Sequence, residues 1–380
     1  MPMKDHLNTA VYSAKRSAIR EFSKLAAATP DCIQLTLGEP DFDTPEVICR
    51  AASEALEAGE THYIENNGIL ALREGIAAFE REQNGMDYTA DEVIVTAGAT
   101  EALFISLFGI LNPGDEVIIP SPAFVLYEQI VNLCRGVTVP MDTVQDGFQI
   151  RRPSLQPLIT ERTKAIILNT PNNPTGCVYD EESLRTVYEA VHGRNIFVIC
   201  DDVYRQLCYT EDYHSFAESR DLREQLLVVQ SFSKPYAMTG WRVGWLLADA
   251  SVKERLALVH QLMVVSAPAP FQQACITALG TDPAEMTGEY RKRRDYVTGR
   301  LEEMGLPAVT PEGAFYAFPS IEKYGLGSEE FCTRLVREAG VAVTPGMAFG
   351  SDRHIRISYC CSRRNLREGL DRLEQFRGTI

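Results

Sequence analysis

A chain of 380 residues, 45% hydrophobic and 23% charged, has the composition of an ordinary globular protein and is long enough for two domains with a sizeable buried core. Its net charge of −15, uninterrupted by any basic block, disfavours a nucleic-acid partner. No apolar run reaches the roughly 18 residues of a membrane span, so no membrane partner is expected. Met1–Ala10 carries charges where a signal peptide has its apolar stretch, which predicts a cytoplasmic protein.

In chain order, short β-rich runs alternate with helix-length stretches between about Asp91 and Ala250. The predicted strands are Glu92–Thr96, Glu116–Pro120, Lys164–Asn169, Asn195–Cys200, Leu226–Gln230 and Trp241–Ala248. Most are continuous apolar runs, as expected of strands covered on both faces. Between them, Glu101–Leu111, Tyr127–Leu133 and Glu181–His192 read as helices. The pattern predicts an α/β fold, a mostly parallel sheet covered by helices. Beyond Ala250 the texture changes to long charged amphipathic stretches, Glu285–Met304 and Glu329–Ala339. Short strands near Ala314–Phe318, Val341–Thr344 and Ile355–Tyr359 alternate with them. This predicts a large domain over residues 45–284 and a smaller α+β domain built from 1–44 and 285–380. In an open α/β sheet, ligands bind at the carboxyl ends of the strands, where the chemistry-bearing motifs fall.

Ten cysteines are scattered without CxxC spacing, Cys360 and Cys361 being the only adjacent pair. They read as free thiols of a reducing cytosol, and six dispersed histidines suggest no metal cage. The segment Ser231-Phe-Ser-Lys234-Pro-Tyr-Ala-Met-Thr-Gly-Trp-Arg242-Val-Gly is different in kind. A lysine directly beyond a buried strand loses part of its hydration, which lowers its pKa and frees its amine to form a Schiff base. Ser231 and Arg242 stand where a phosphate could be gripped.

Ser-Phe-Ser-Lys-x3-Met-x-Gly-Trp-Arg-x-Gly resembles the cofactor-lysine signature of the class I/II pyridoxal 5'-phosphate (PLP) aminotransferases, enzymes of fold type I. The resemblance runs nearly end to end. It is carried by Leu37-Gly38-Glu39-Pro40-Asp41-Phe42, Thr61-His62-Tyr63, Thr96-Ala-Gly98-Ala99-Thr100-Glu and Pro122-Ala-Phe124-Val-Leu-Tyr127. Asn172-Asn173-Pro174-Thr175-Gly176, Asp201-Asp-Val-Tyr204, Gly313-Ala-Phe-Tyr316 and Arg356-Ile-Ser-Tyr359 complete it. The general look is closest to the bacterial and archaeal subgroup acting on aromatic amino acids, aspartate or N-acetyl-diaminopimelate.

The resemblance implies PLP as cofactor and a role for each matching residue. Lys234 would hold PLP and shuttle the Cα proton. Asp201 would keep the pyridine nitrogen protonated, its neighbour Asp202 being the alternative that the Asp-x-x-Tyr spacing disfavours. Tyr204 and Asn173 would hydrogen-bond the ring's phenolate oxygen, and Phe124 would stack on the ring, where relatives often carry Trp or Tyr. Gly98, Ala99 and Thr100 at a helix N-terminus would cup the phosphate with Ser231 and Arg242, Thr100 doubling as an N-cap. The Arg356 fork suits an α-carboxylate, with Gly38 and Asn173 beside it, and Arg353, Arg363 and Arg364 read as a solvated patch. Tyr63 would reach the neighbouring active site of a homodimer.

The activity so implied is ping-pong transfer of an amino group from an L-amino acid to a 2-oxo acid. Some aspartate-preferring relatives carry a lysine where this chain has Thr100, so strict dicarboxylate specificity is not expected. A cysteine-S-conjugate β-lyase would share the same motifs and is the alternative on this scaffold. A regulator on the scaffold would need an appended helix-turn-helix, for which the chain has no spare residues.

Overall fold

The structure, a computed structural model, describes residues 3–12, 18–211 and 213–379. Twelve strands form among them. They are β1 (Ile33–Gln34), β2 (Val93–Thr96), β3 (Glu116–Ser121), β4 (Val137–Asp142), β5 (Thr163–Asn169) and β6 (Phe197–Asp201). After these come β7 (Leu226–Ser231), β8 (Gly244–Ala248), β9 (Tyr316–Ala317), β10 (Val341–Ala342), β11 (Thr344–Pro345) and β12 (Ile355–Ser358).

The central sheet has seven strands in the order β2-β8-β7-β6-β5-β3-β4. Every neighbouring pair is parallel except those made by β8, which runs antiparallel to β2 and β7. Successive strand residues point to opposite faces. Val93 and Val95, Val198 and Cys200, and Val228 pack in one core with Leu72, Ile76 and Trp245. Their alternates Ile94, Ile199, Leu227 and Val229 pack in a second core with Leu103, Ile105 and Leu256. Both faces are therefore dry, which is why these strands read as unbroken apolar runs.

Three expectations need correction. Trp241–Ala248 is not one strand: Thr239–Trp241 is a 3-10 turn, Arg242 is left-handed at φ 56°, and pairing begins at Gly244. Val341–Thr344 divides into β10 and β11, which pair with different partners, β1 and β12. Ala314–Phe318 pairs only at Tyr316–Ala317, after a left-handed Ala314 at φ 57°. One strand was not foreseen. β4 lies at the sheet edge against β3 alone, half exposed and carrying Pro140, and an edge is where a proline can sit in a sheet.

A third core joins helices Ala284–Glu303, Ser328–Ala339 and Arg363–Arg377 to the antiparallel sheet β11-β12-β9. Ile33 and Leu35 enter this core, and β1 pairs in parallel with β10. The first forty residues thus end beside the last hundred. No described helix is long and apolar enough to cross a membrane.

Candidate active site

Because β8 runs backwards, its amino end meets the carboxyl ends of β2, β5, β6 and β7 at one edge of the sheet, and Ser231 pairs with Gly244 there. A cavity of about 300 Å³ opens along that edge. Gly38, Ala99, Thr100, Phe124, Asn173, Asp201, Tyr204, Ser231, Lys234, Arg242 and Arg356 all line it. Gly98 lies just behind its wall, where an added Cβ would come 2.5 Å from Nη2 of Arg242. Tyr63 does not line it: the residue is 91% exposed on the surface.

Lys234, one turn past β7, is half-buried, and Nζ donates to the carbonyl of Gly38 at 2.6 Å. Loss of water around the amine pulls its pKa from 10.5 down to about 8, and the nearby Arg356 and Arg242 act in the same direction. Asp201 closes β6. Its Oδ2 accepts from the Tyr127 hydroxyl at 2.6 Å, while Oδ1 is buried with no hydrogen-bond partner. Burial raises this carboxyl to about 6. Asp202 is buried too, but it faces Ser215 and Arg205 and stays outside the cavity. Alternation along the extended chain sends the two neighbours in opposite directions.

Three side chains run in series along this edge, starting from the backbone of Asp201. Asn169 Nδ2 donates to the Asp201 carbonyl at 2.8 Å, and its Oδ1 accepts from the Asn173 amide at 2.9 Å. Asn173 Oδ1 in turn accepts from Nη1 of Arg356 at 2.8 Å. Arg356 is 3% exposed, packs over the rings of Tyr316 and Phe349, and donates Nη2 to the Thr36 carbonyl at 2.6 Å. Its Nε has no partner, and it makes no ion pair with a described carboxylate. Arg353 and Arg363, by contrast, are exposed and paired, with Glu322 and Glu289. A buried guanidinium facing a cavity without a counter-ion is strongly disposed to take a carboxylate from a ligand.

At the opposite end, helix Ala99–Ile110 begins on Gly98, its N-cap, at φ 78° and ψ 171°. Thr100 is therefore inside the first turn and is not the cap. Arg242 directs Nη1 and Nη2 to the carbonyls of Thr239 and Ala97, at 2.9 and 3.3 Å, and meets no described carboxylate. Ser231 Oγ bonds Ser233 Oγ at 2.8 Å. Phe124 stands edge-on to Tyr127, ring centres 5.7 Å apart. Tyr204 and Tyr316 join hydroxyls at 2.9 Å, and burial pushes the Tyr204 phenol up, so it remains a donor.

The structure adds lining residues that sequence reasoning gave no role: Thr36, Tyr127, Asn169, Ser233, Thr239 and Tyr316. Asn169 had a signal, since it is the polar end of an apolar strand. Tyr127 had none beyond its place in a matching motif, because its contact with Asp201 spans 74 residues.

A half-buried lysine and a buried aspartate facing one cavity at the carboxyl edge of this sheet define a fold type I PLP transferase. Comparison with known proteins narrows the class. The family model for aminotransferase class I and II matches residues 30–373. The chain is 40% identical to a probable N-acetyl-LL-diaminopimelate aminotransferase of Bacillus subtilis, over 98% of this chain and 96% of that protein. It is 40% identical to an aspartate aminotransferase of Pyrococcus abyssi, over 99% and 98% of the two chains. The crystal structure of an aspartate aminotransferase from Thermotoga maritima superposes with a TM-score of 0.94 at 36% identity, covering 98% of this chain and all of that one. The chain belongs to the class I and II aminotransferases, PLP-dependent enzymes. The β-lyase alternative draws no support from these relatives.

The residues present fit that cofactor. The unpartnered Oδ1 of Asp201 is a buried acceptor suited to a protonated ring nitrogen. The Gly98 turn leaves room that any Cβ would fill, and Arg242 offers an unneutralised cation beside it.

Proposed function

We propose that this aminotransferase passes an amino group from an L-amino acid to a 2-oxo acid in two half-reactions at one site, with ping-pong kinetics. The observation that carries the reading is three uncompensated groups around one cavity: the lowered Lys234 amine, the Asp201 oxygen without a partner and the buried Arg356 without a counter-ion. PLP, when bound, supplies an electron sink for charge developing at the substrate α-carbon. Lys234 is the amine that would hold the cofactor's aldehyde; released, its Nζ takes the proton from the substrate α-carbon. Asp201 would hold a proton on the ring nitrogen. Tyr204 and Asn173 would meet the phenolate oxygen, Phe124 would cover the ring, and Gly98, Ala99, Thr100, Ser231 and Arg242 would hold the phosphate.

Arg356, with Gly38 and Asn173, would fix the α-carboxylate of both substrates, amino acid and oxo acid alike. One clamp serving both explains why they must alternate. Thr100 borders the cavity as a neutral residue, so we infer no strict need for a second carboxylate on the substrate. In this reading residues 45–284 form the domain that seats the cofactor, and 1–44 with 285–380 the domain that carries Gly38 and Arg356. We further infer a cytoplasmic homodimer in which the exposed Tyr63 completes the neighbouring site.

The deciding experiment is Lys234→Ala, assayed by single-turnover conversion of amino acid to oxo acid in the presence of PLP. Conversion is expected to vanish. Transamination at the wild-type rate in that variant would defeat the assignment.

A further inference from the structure

Behind the Gly98–Thr100 turn lies a buried ionisable pair that the reaction does not use. Glu101 stands in the first turn of helix Ala99–Ile110 and is 6% exposed. Its Oε2 accepts from the backbone N–H of Ala97, fastening the loop that enters the helix. Its Oε1 lies 2.6 Å from Nδ1 of His260, a side chain with no exposed surface. The other ring nitrogen, Nε2, lies 2.8 Å from the carbonyl oxygen of Asn66. A carbonyl cannot donate, so Nε2 carries a hydrogen. Nδ1 and a carboxyl oxygen at 2.6 Å also need a hydrogen between them, because two lone pairs would repel. Whichever atom owns that proton, the pair as a whole has no net charge.

A helix N-terminus draws negative charge through its free N–H groups and its dipole. A bare carboxylate in the first turn would compete with an anionic ligand for that field and repel it through a medium of low dielectric. We propose that His260 is a charge-compensating positioning residue for the cofactor phosphate. With Glu101 it ties down the Ala97–Gly98 turn and leaves no negative charge beneath the phosphate-binding amides. The inference rests on the reading of Gly98–Thr100 as the phosphate seat.

Charge compensation and mere packing make opposite predictions for a double variant. His260→Gln removes the compensating proton. Glu101→Gln keeps an acceptor for the Ala97 amide and removes the charge. The dissociation constants of PLP and of phosphate-free pyridoxal are measured on cofactor-stripped protein, together with its unfolding temperature. His260→Gln is expected to weaken PLP about tenfold or more while hardly changing pyridoxal. Adding Glu101→Gln to it recovers most of that loss, and Glu101→Gln alone loses less than His260→Gln. Wild-type PLP affinity in His260→Gln, an equal loss for pyridoxal, or a double variant weaker than His260→Gln overturns the proposal. Should His260→Gln not fold, Glu101→Gln decides, and a tenfold loss there overturns it. Arg242→Gln separates the two levels. If it too binds PLP normally, the phosphate seat is misassigned; if it weakens PLP while His260→Gln does not, only the role of His260 falls.

Discussion

At the scale of single residues, two groups have properties that chemistry can read directly. Burial lowers Lys234 to about 8, so its neutral, nucleophilic form is present at lower pH than for a free lysine near 10.5. In cofactor-free protein, labelling of Lys234 by an amine reagent, followed by mass spectrometry against pH, should therefore reach half its plateau near 8. A midpoint near 10.5 would show an ordinary surface amine. Among the described residues, Tyr127 donates the one side-chain hydrogen bond that the Asp201 carboxyl accepts. Tyr127→Phe leaves a buried carboxyl short of a donor, which costs about 1–3 kcal/mol where the charged form is needed. PLP affinity should fall about tenfold in a titration, with the fold intact by circular dichroism. Lys234, Asp201 and Arg356 were legible in the sequence because each sits in a short string whose spacing matches the resembled signature. Tyr127, Asn169 and the His260–Glu101 pair were not, because their partners are distant in the chain and only the folded sheet brings them together.

At the scale of elements, the strand-to-helix turn after β2 is the most exacting piece. Gly98 has φ 78° and ψ 171°, a region open in practice to glycine, and an added Cβ would meet the Arg242 guanidinium. Gly98→Ala should cost about 1–3 kcal/mol in local strain and displace Arg242. Calorimetry of PLP binding should show the loss, and PLP affinity equal to wild type would count against the phosphate seat. Five of the six predicted central strands form with end shifts of one or two residues, because double-sided burial writes itself as an apolar run. The sixth starts late at Gly244, since Trp241 and Val243 are apolar for packing reasons and the left-handed Arg242 between them cannot extend the strand. β4 escaped notice for the reverse reason, being an edge strand with little to bury.

At the scale of the molecule, an apolar run remains uncovered. Leu258, Leu262, Met263, Val264 and Val265 end helix Ala250–Val264 at the surface, with Leu262 88% exposed. If the proposed homodimer forms, these exposed apolar side chains are where a second copy would be seated. Leu262→Glu should shift the mass seen by light scattering from dimer toward monomer and depress turnover with it. A variant still dimeric at low micromolar concentration would place the interface elsewhere. The parallel pairing of β1 with β10 also has a temporal meaning. Residues 93–248 supply the whole central sheet and nearly every group assigned to the cofactor, but Leu256, Ala274, Cys275 and Ala278, which complete the cores on its two faces, come later in the chain. Thr36, made near the start, must wait for Arg356, made near the end, before the carboxylate clamp can close. In the proposed reading, the carboxylate clamp is therefore the part of the site that needs almost the entire chain, joining residues 320 positions apart.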